Sequence, residues 1–447
     1  MTMTKKQNIA IFNVSESGHL NLGLGLARKL VDAGHQVSHV TSSVASDAAT
    51  IQRAVQCIEA AGAAYLNHYE LPGINSEEAI KLLASLPLSP FIRSTACTMA
   101  VGTQATIDWL KSSGVDLVVF GHYVPAAYVA AKVLGLPMVC IFTQIPFQKQ
   151  GYWSLAWMDM PAVSQALSKV NDEWGIDMRQ VLHSDRNMWY KGVKTIAYTL
   201  PELSDLNNPE ECTLVGCNLR KAIHTDHPLV QQVLVWKSKS DSNNKAMLVC
   251  LGSLIQDALF GLFQDFLKQS FWPAIRFLAS SRPELMIVLG VGGPGLVAYK
   301  ELYDEAEGAA LPNLLICDYV PQLEILPHVD VALHHGGCNS LHECLQARVP
   351  MILLPTNGDG LENANIVIEK WGCGVHFPNE NKFVPGRPFP LSERACFTPQ
   401  SLEAAVLKCI ATDVEGDKIR SNVVKLADRL EEMEKQHADV HAVLGVV

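Results

Sequence analysis

The sequence predicts an α/β protein made of two doubly wound, parallel-sheet halves. Three observations predict it. Short runs rich in Val, Ile and Leu alternate with longer helical patterns along the 447 residues. The runs are apolar on both faces, as strands covered by helices on both sides must be. A polar stretch at residues 237–245, KSKSDSNNK, separates halves that are each the size of one such domain.

In the first half, strand-like runs fall at residues 8–14, 36–41, 116–120 and 137–142. In the second they fall at 246–251, 284–290, 314–319, 331–334 and 350–355. The expected division is therefore 1–236, a linker at 237–245, 246–425, and a charged amphipathic helix at 426–447 packing across the junction. Ligands of doubly wound sheets bind outside the carboxyl ends of the strands, so the site is expected there, between the halves.

Composition narrows the function. The formal net charge is −10, and no dense Lys/Arg stripe is present, which argues against a nucleic-acid partner. The opening MTMTKKQNIAIFNVSESGH has too short an apolar stretch for a signal peptide and reads as a buried strand. No run reaches the ~18 apolar residues of a membrane span. The most apolar stretch, 115–143, is broken by His122, Lys132 and Pro137. The twelve cysteines include no Cys-x-x-Cys pair, and Cys140, Cys250 and Cys317 sit in strand-like runs, as buried free thiols do. A reduced, cytoplasmic protein is expected. There is no Asp-x-Asp, and no metal site is expected.

The chemistry concentrates in residues 319–364, YVPQLEILPHVDVALHHGGCNSLHECLQARVPMILLPTNGDGLENA. A buried strand ends at His335, and Gly336 and Gly337 then permit close backbone approach. The helical pattern that follows presents free N–H groups and a positive dipole end, which suit a phosphate. His335, Asn339 and Ser340 add side-chain donors. Ser340-Leu-His-Glu343 also fits a capping box, which would need no ligand. Asp359, beyond the next strand end, can accept hydrogen bonds from sugar hydroxyls.

This segment resembles the donor-binding signature of the UDP-glycosyltransferase family, the family 1 glycosyltransferases of two-Rossmann GT-B fold. Pro321-Gln322, His335, Gly337, Asn339, Ser340, Glu343, Val349-Pro350, Asp359 and Asn363-Ala364 stand in its register. The resemblance implies two Rossmann-like domains facing across a cleft, the first for the acceptor and the second for the nucleotide sugar. It implies that Tyr319 stacks on the base, with Val320 beside it, and that Gln322 hydrogen-bonds the base. Glu343 would bind the ribose, and His335, Gly337, Asn339 and Ser340 the diphosphate. Asp359 would hold the transferred sugar, and Gly252-Ser253 would face the phosphates. In VSESGHLNLGLGLARKLVDAGHQVSHVT, His19 matches the family's catalytic base, a role that suits imidazole. His35 is expected to be structural.

The implied activity is inverting, metal-independent transfer of a sugar, by default glucose, from a UDP-sugar. The acceptor would be a small apolar molecule, phenolic or polycyclic, of secondary metabolism. No cofactor and a monomeric state are expected. Acceptor contacts are expected from His122 and from the aromatic segment 145–160, through Phe147 and Trp153, with residues 83–99 as a second apolar segment. Trp153, Trp157 and Met160 could equally fill the core face of a helix.

The sequence departs from the family pattern in two main places. Gly121 stands where an Asp normally orients the base, a position Glu16 or His122 could serve, and glycine there could reflect a positive φ. Gly360 replaces the Gln that contacts the sugar. Tyr319 and Cys338, both at Trp positions, are milder changes. An alternative is a sugar-nucleotide-binding protein with little or no transferase activity. A dinucleotide fingerprint at residues 290–295, GVGGPG, is formally present but weak, and Pro294 is expected to disturb its turn.

Overall fold

The computed structural model describes residues 6–446 except 15–16, 43–47, 76, 78, 80, 83–94, 149–154, 187, 207–209, 211, 218–225, 240–242, 253–254, 257–259, 304–310, 357–358 and 378–395. Two compact units emerge: Met1–Arg220 together with Met433–Val447, and Lys221–Glu432.

The first unit holds a seven-stranded sheet of β1 (Asn8–Val14), β2 (Gln36–Ser42), β3 (Ala64–Asn67), β4 (Leu117–Gly121), β5 (Met138–Phe142), β6 (Lys194–Ala197) and β7 (Thr213–Leu214). Its order is β3-β2-β1-β4-β5-β6-β7, and the paired strands run parallel. Alternation along β1 sends Ile9 and Ile11 into one core with Leu26 and Leu30 of the helix Ser17–Asp32. Ala10 and Phe12 enter the opposite core with Val129 of the helix Pro125–Leu134. Burial on both faces is why these strands read as unbroken apolar runs.

The second unit holds β8 (Lys245–Cys250), β9 (Leu285–Gly290), β10 (Leu314–Cys317), β11 (Val331–His334), β12 (Met351–Leu353) and β13 (Gly374–His376). The order β10-β9-β8-β11-β12-β13 is again parallel throughout. Met247, Val249, Ile287, Leu333 and Ile352 pack there with Trp272, Leu278 and Leu402 of the covering helices. In each sheet the first strand lies beside the fourth, β1 by β4 and β8 by β11, so the winding reverses at that point. Such a reversal opens a crevice at the carboxyl ends of the strands.

The nine expected runs all become strands, with ends displaced by a few residues. The run at 314–319 stops at Cys317, and that at 350–355 shrinks to Met351–Leu353. Four further strands, β3, β6, β7 and β13, are two to four residues long. Three of them are sheet edges, where partial exposure leaves little apolar signal.

Two organisational expectations shift. The chain enters the second unit at Lys221, ahead of the polar stretch. The helix Pro228–Lys237 is joined to the start of β8, since Trp236 Nε1 donates to the Lys245 carbonyl at 3.2 Å. Lys237 and Lys245 both pair with Asp330, at 3.0 and 3.5 Å. The tail forms two helices rather than one, Val414–Glu434 and Ala438–Leu444, broken where His437 adopts φ 49°. The last helix docks on the first unit: Lys29 Nζ meets the buried Asp439 carboxylate at 2.8 Å.

Pro294 disturbs nothing, because it sits in the first turn of the helix Gly292–Tyr303, where a proline leaves no hydrogen bond unmade. Cys140 is buried as expected, whereas Cys250 and Cys317, at strand ends, are partly exposed. Among the described residues no helix is long and apolar enough to cross a membrane.

Candidate donor site and candidate base

In the second unit the signature residues gather beyond the carboxyl ends of β10, β11 and β12. The helix Cys338–Gln346 begins directly after the two glycines, with Gly337 as its N-cap and no side-chain capping bond. Ser340 is therefore inside the helix, and the capping box does not form. Glu343, almost fully buried, instead accepts a hydrogen bond from Gln322 Nε2 at 2.5 Å. That bond ties the segment after β10 to the helix after β11, joining the two residues expected at the base and the ribose. Tyr319, three residues before Gln322, is 48% exposed. Val320 does otherwise: its side chain is buried against Gly290, where a Cβ would lie only 2.9 Å from Val320 Cγ2.

His335 is wedged between glycines. A Cβ on Gly252 would stand 2.5 Å from His335 Cε1, and one on Gly337 would clash with His335 Nε2. Burial of the ring holds its pKa down at about 4, which keeps the imidazole neutral at pH 7. Asn339 and Ser340, partly exposed, lie in the first turn after Gly337. Asp359 is fixed by Asn363, whose Nδ2 donates to Asp359 Oδ2 and to the Gly336 carbonyl, both at 2.8 Å. Burial pushes the Asp359 carboxyl up to about 6. Gly360 is explained by its neighbour: a Cβ there would stand 2.6 Å from the His335 carbonyl oxygen. The Gln of the family pattern has no room at this backbone position.

In the first unit His19 lies in the opening turn of the helix after β1, on the side where β1 meets β4. Its Nδ1 is 2.6 Å from Thr143 Oγ1, just past the end of β5. The same hydroxyl lies 3.5 Å from His122 Nδ1, and the Thr143 backbone N–H donates to that nitrogen at 3.4 Å. His122 is fully buried, stacked near Tyr123 and Phe142 at 4.2 and 4.6 Å between ring centroids. Desolvation lowers the pKa of His19 to about 3 and holds that of His122 well below the ordinary histidine value.

Gly121 does not have a positive φ. A Cβ there would run into Asn13 Oδ1, so a side chain at 121 requires the Asn13 amide to move.

Thr143 escaped the sequence reading, which ended its strand one residue earlier; a hydroxyl at a strand's carboxyl end was the only available signal. Among the acceptor candidates, Phe147 is 4% exposed and belongs to the packed interior, and His122 is a buried neighbour of His19. Trp153, Glu16 and Ser253 lie outside the described residues, as does most of 83–99. The side chain of Trp157 lies outside them too. Of that aromatic segment the described residues include a 3-10 turn, Ala156–Asp159, with Met158 buried and Met160 half-buried. His35 is structural, accepting from the Gln7 backbone N–H at 3.2 Å.

Two parallel-sheet Rossmann-like units, each wound to a central reversal, define the class: this is a GT-B fold. The glycosyltransferase of kitacinnamycin shares it with a TM-score of 0.66 at 18% identity, covering 99% of both chains. SnogD from Streptomyces nogalater does so with a TM-score of 0.61 at 18% identity, covering 99% of this chain and 100% of that one. Residues 297–384 match the family model of the erythromycin biosynthesis protein CIII-like C-terminal domain. The NDP-glycosyltransferase YjiC of Bacillus subtilis (strain 168) is 24% identical over 393 residues, 84% of this chain and 86% of that protein. The uncharacterized UDP-glucosyltransferase YdhE of the same organism is 22% identical over 369 residues, 79% of this chain and 81% of that protein. The chain is thus similar over most of its length to UDP- and NDP-glycosyltransferases and shares the GT-B fold of solved glycosyltransferases.

Proposed function

We propose that the protein transfers a sugar, with inversion, from a UDP-sugar to a hydroxyl of a small apolar acceptor, with His19 as general base. The observation that carries this reading is the hydrogen bond between Gln322 and Glu343. It aligns a base-reading amide and a ribose-binding carboxylate beside the exposed Tyr319 ring. His335, Asn339, Ser340 and the free N–H groups of the helix Cys338–Gln346 then lie where a diphosphate would follow.

In this mechanism the acceptor oxygen loses its proton to His19 as it attacks the anomeric carbon. The bond from that carbon to the diphosphate oxygen breaks, and its electron pair leaves with UDP. The helix N-terminus and the neutral His335 N–H stabilise the developing charge. Asp359 holds sugar hydroxyls, alone where the family would add a Gln at residue 360. Glucose is the default sugar. A desolvated imidazole is a weak base, so phenolic acceptors are favoured over aliphatic alcohols. The first unit would carry the acceptor and the second the donor, in a cytoplasmic monomer serving secondary metabolism.

Gly121, which offers the base no carboxylate, favours a second reading: a sugar-nucleotide-binding protein with little turnover. Incubation with UDP-glucose and a panel of phenols decides between them. Transfer predicts acceptor-dependent UDP release and a glycoside of inverted anomeric configuration. Calorimetric UDP-glucose binding without release across the panel would select the binding protein.

A further inference from the structure

Glutamine is mostly an exposed residue, yet Gln256, just past the end of β8, is only 7% exposed. Its amide is used on both sides. A carbonyl can only accept, so the bond to the Gly290 carbonyl assigns Nε2 to that side. Oε1 then faces Cys250 Sγ, 3.6 Å away. The backbone N–H of the same residue donates to the Gly252 carbonyl at 3.1 Å. One residue thus brackets the last residue of β8, the turn after it and the last residue of β9.

Two of these points touch the candidate donor site. Gly252, at φ 85°, lies against the His335 ring so closely that a Cβ would clash with it. Gly290 lies against Val320 in the same way, and Val320 joins Tyr319 to Pro321 and Gln322. Packing this close leaves no slack. A shift of Gly252 moves the ring expected at the diphosphate, and a shift of Gly290 moves the segment expected at the base. Methionine would fill a similar volume without the cost of burying an amide, so what glutamine adds is its directed bonds.

We propose that Gln256 is a positioning residue of the donor site, locking the turn at Gly252 to the end of β9 at Gly290. It thereby sets His335 and the segment Tyr319–Gln322 relative to each other, acting through these neighbours. The role rests on reading these strand ends as the donor site; the bracket itself is a property of the protein alone.

Gln256→Met should bind UDP about tenfold more weakly by calorimetric titration, with a melting curve establishing that the variant is folded at the titration temperature. Positioning has a further signature. Combined with His335→Asn, and separately with Gln322→Ala, the Met variant should lose less affinity than the product of the single effects, by about threefold or more in each cycle. Gln256→Glu serves if the Met variant is not folded. Its carboxyl donates to the Gly290 carbonyl only while protonated, so its UDP affinity relative to the native protein should fall as pH rises from about 6 to about 8.5. Undiminished affinity in Gln256→Met, independent effects in both cycles, or a pH-independent ratio in Gln256→Glu overturns the proposal. If the native protein binds no UDP, the donor reading fails by itself. The bracket is then read from the imidazole 1H–13C signals of His335, assigned with His335→Asn: signals that shift in Gln256→Met sustain it, and unchanged signals overturn it.

Discussion

The two sheets reverse their winding at the same place, yet they build their sites in opposite ways. At β8 and β11 the second unit uses backbone and residues close in sequence. The donor signature spans 46 residues, and Gly252, Gly337 and Gly360 yield space to the His335 ring and backbone. At β1 and β4 the first unit assembles His19 from scattered positions, Thr143 and His122 lying 124 and 103 residues from it in the sequence. A local motif can encode the first arrangement. Only a folded sheet can reveal the second. The lesson is that the candidate donor site is written in spacing, and the surroundings of the candidate base in topology.

Acid offers the bluntest way to separate the regions. His19, His39, His68 and His122 in the first unit, and His334 and His342 with the less buried His335 in the second, all have pKa values lowered by desolvation. The folded values lie below the unfolded one of about 6.5. Their contribution to stability is thus complete above about pH 6.5 and is lost as pH falls toward 4 and 3. Each fully buried ring can cost about 1 kcal/mol between pH 7 and pH 5.5. Asp359, raised to about 6, runs the other way: its contribution grows as pH falls through that value, offsetting about one histidine. Urea midpoints should drop steeply from pH 7 to 5.5, and hydrogen exchange should rise more in β1 than in β8. Identical midpoints at the two pH values would mean that the rings are hydrated or charged in the native protein.

His19→Ala isolates the first site. Turnover should fall by ~10²-fold or more, since general-base catalysis typically contributes 10²–10⁴-fold, while UDP affinity changes little. Near-native turnover in this variant would remove His19 from the role.

What could be read in advance follows the same division. The long central strands were visible because they are apolar on both faces, whereas the short edge strands were not. Gln322, Glu343, His335 and Asp359 could be singled out as candidates because the pattern holds them in register. The reason for Gly121 stayed open, since glycine can signal either a positive φ or a filled space, and a sequence cannot distinguish them. The structure decides for filled space, through Asn13, a residue 108 positions away.

That correction makes Gly121→Asp a sharper probe. The substitution forces a carboxylate against Asn13 Oδ1 and the β1 backbone, and overpacking of this kind costs about 1–3 kcal/mol. The single variant should melt earlier and gain no activity on alcohols. Asn13→Ala combined with Gly121→Asp should recover part of the loss by removing the obstructing amide. A single variant as stable as the native protein would show that Asn13 moves aside freely, and would reopen the position to an orienting carboxylate.

The smallest expected effect tests the second site at its most informative bond. Glu343 is almost buried, and its carboxylate accepts from Gln322 at 2.5 Å. Glu343→Ala removes a charged hydrogen-bond partner, and such bonds contribute about 1.5–3 kcal/mol where they are made. Part of that loss falls on stability, because Gln322 Nε2 is left to solvent. The remainder falls on the ribose contact, giving about a tenfold weaker UDP affinity, equivalent to 1.4 kcal/mol. Gln322→Ala should weaken UDP similarly, and the double variant should lose less than the sum, because the two side chains act as one unit. Calorimetric titration and melting curves on all three variants measure both quantities. Lowered stability with unchanged UDP affinity would make the pair a strut between the segment after β10 and the helix after β11. The ribose would then have to be read by another group at the same strand ends, and Asp359, the other carboxylate gathered there, would be the next to substitute.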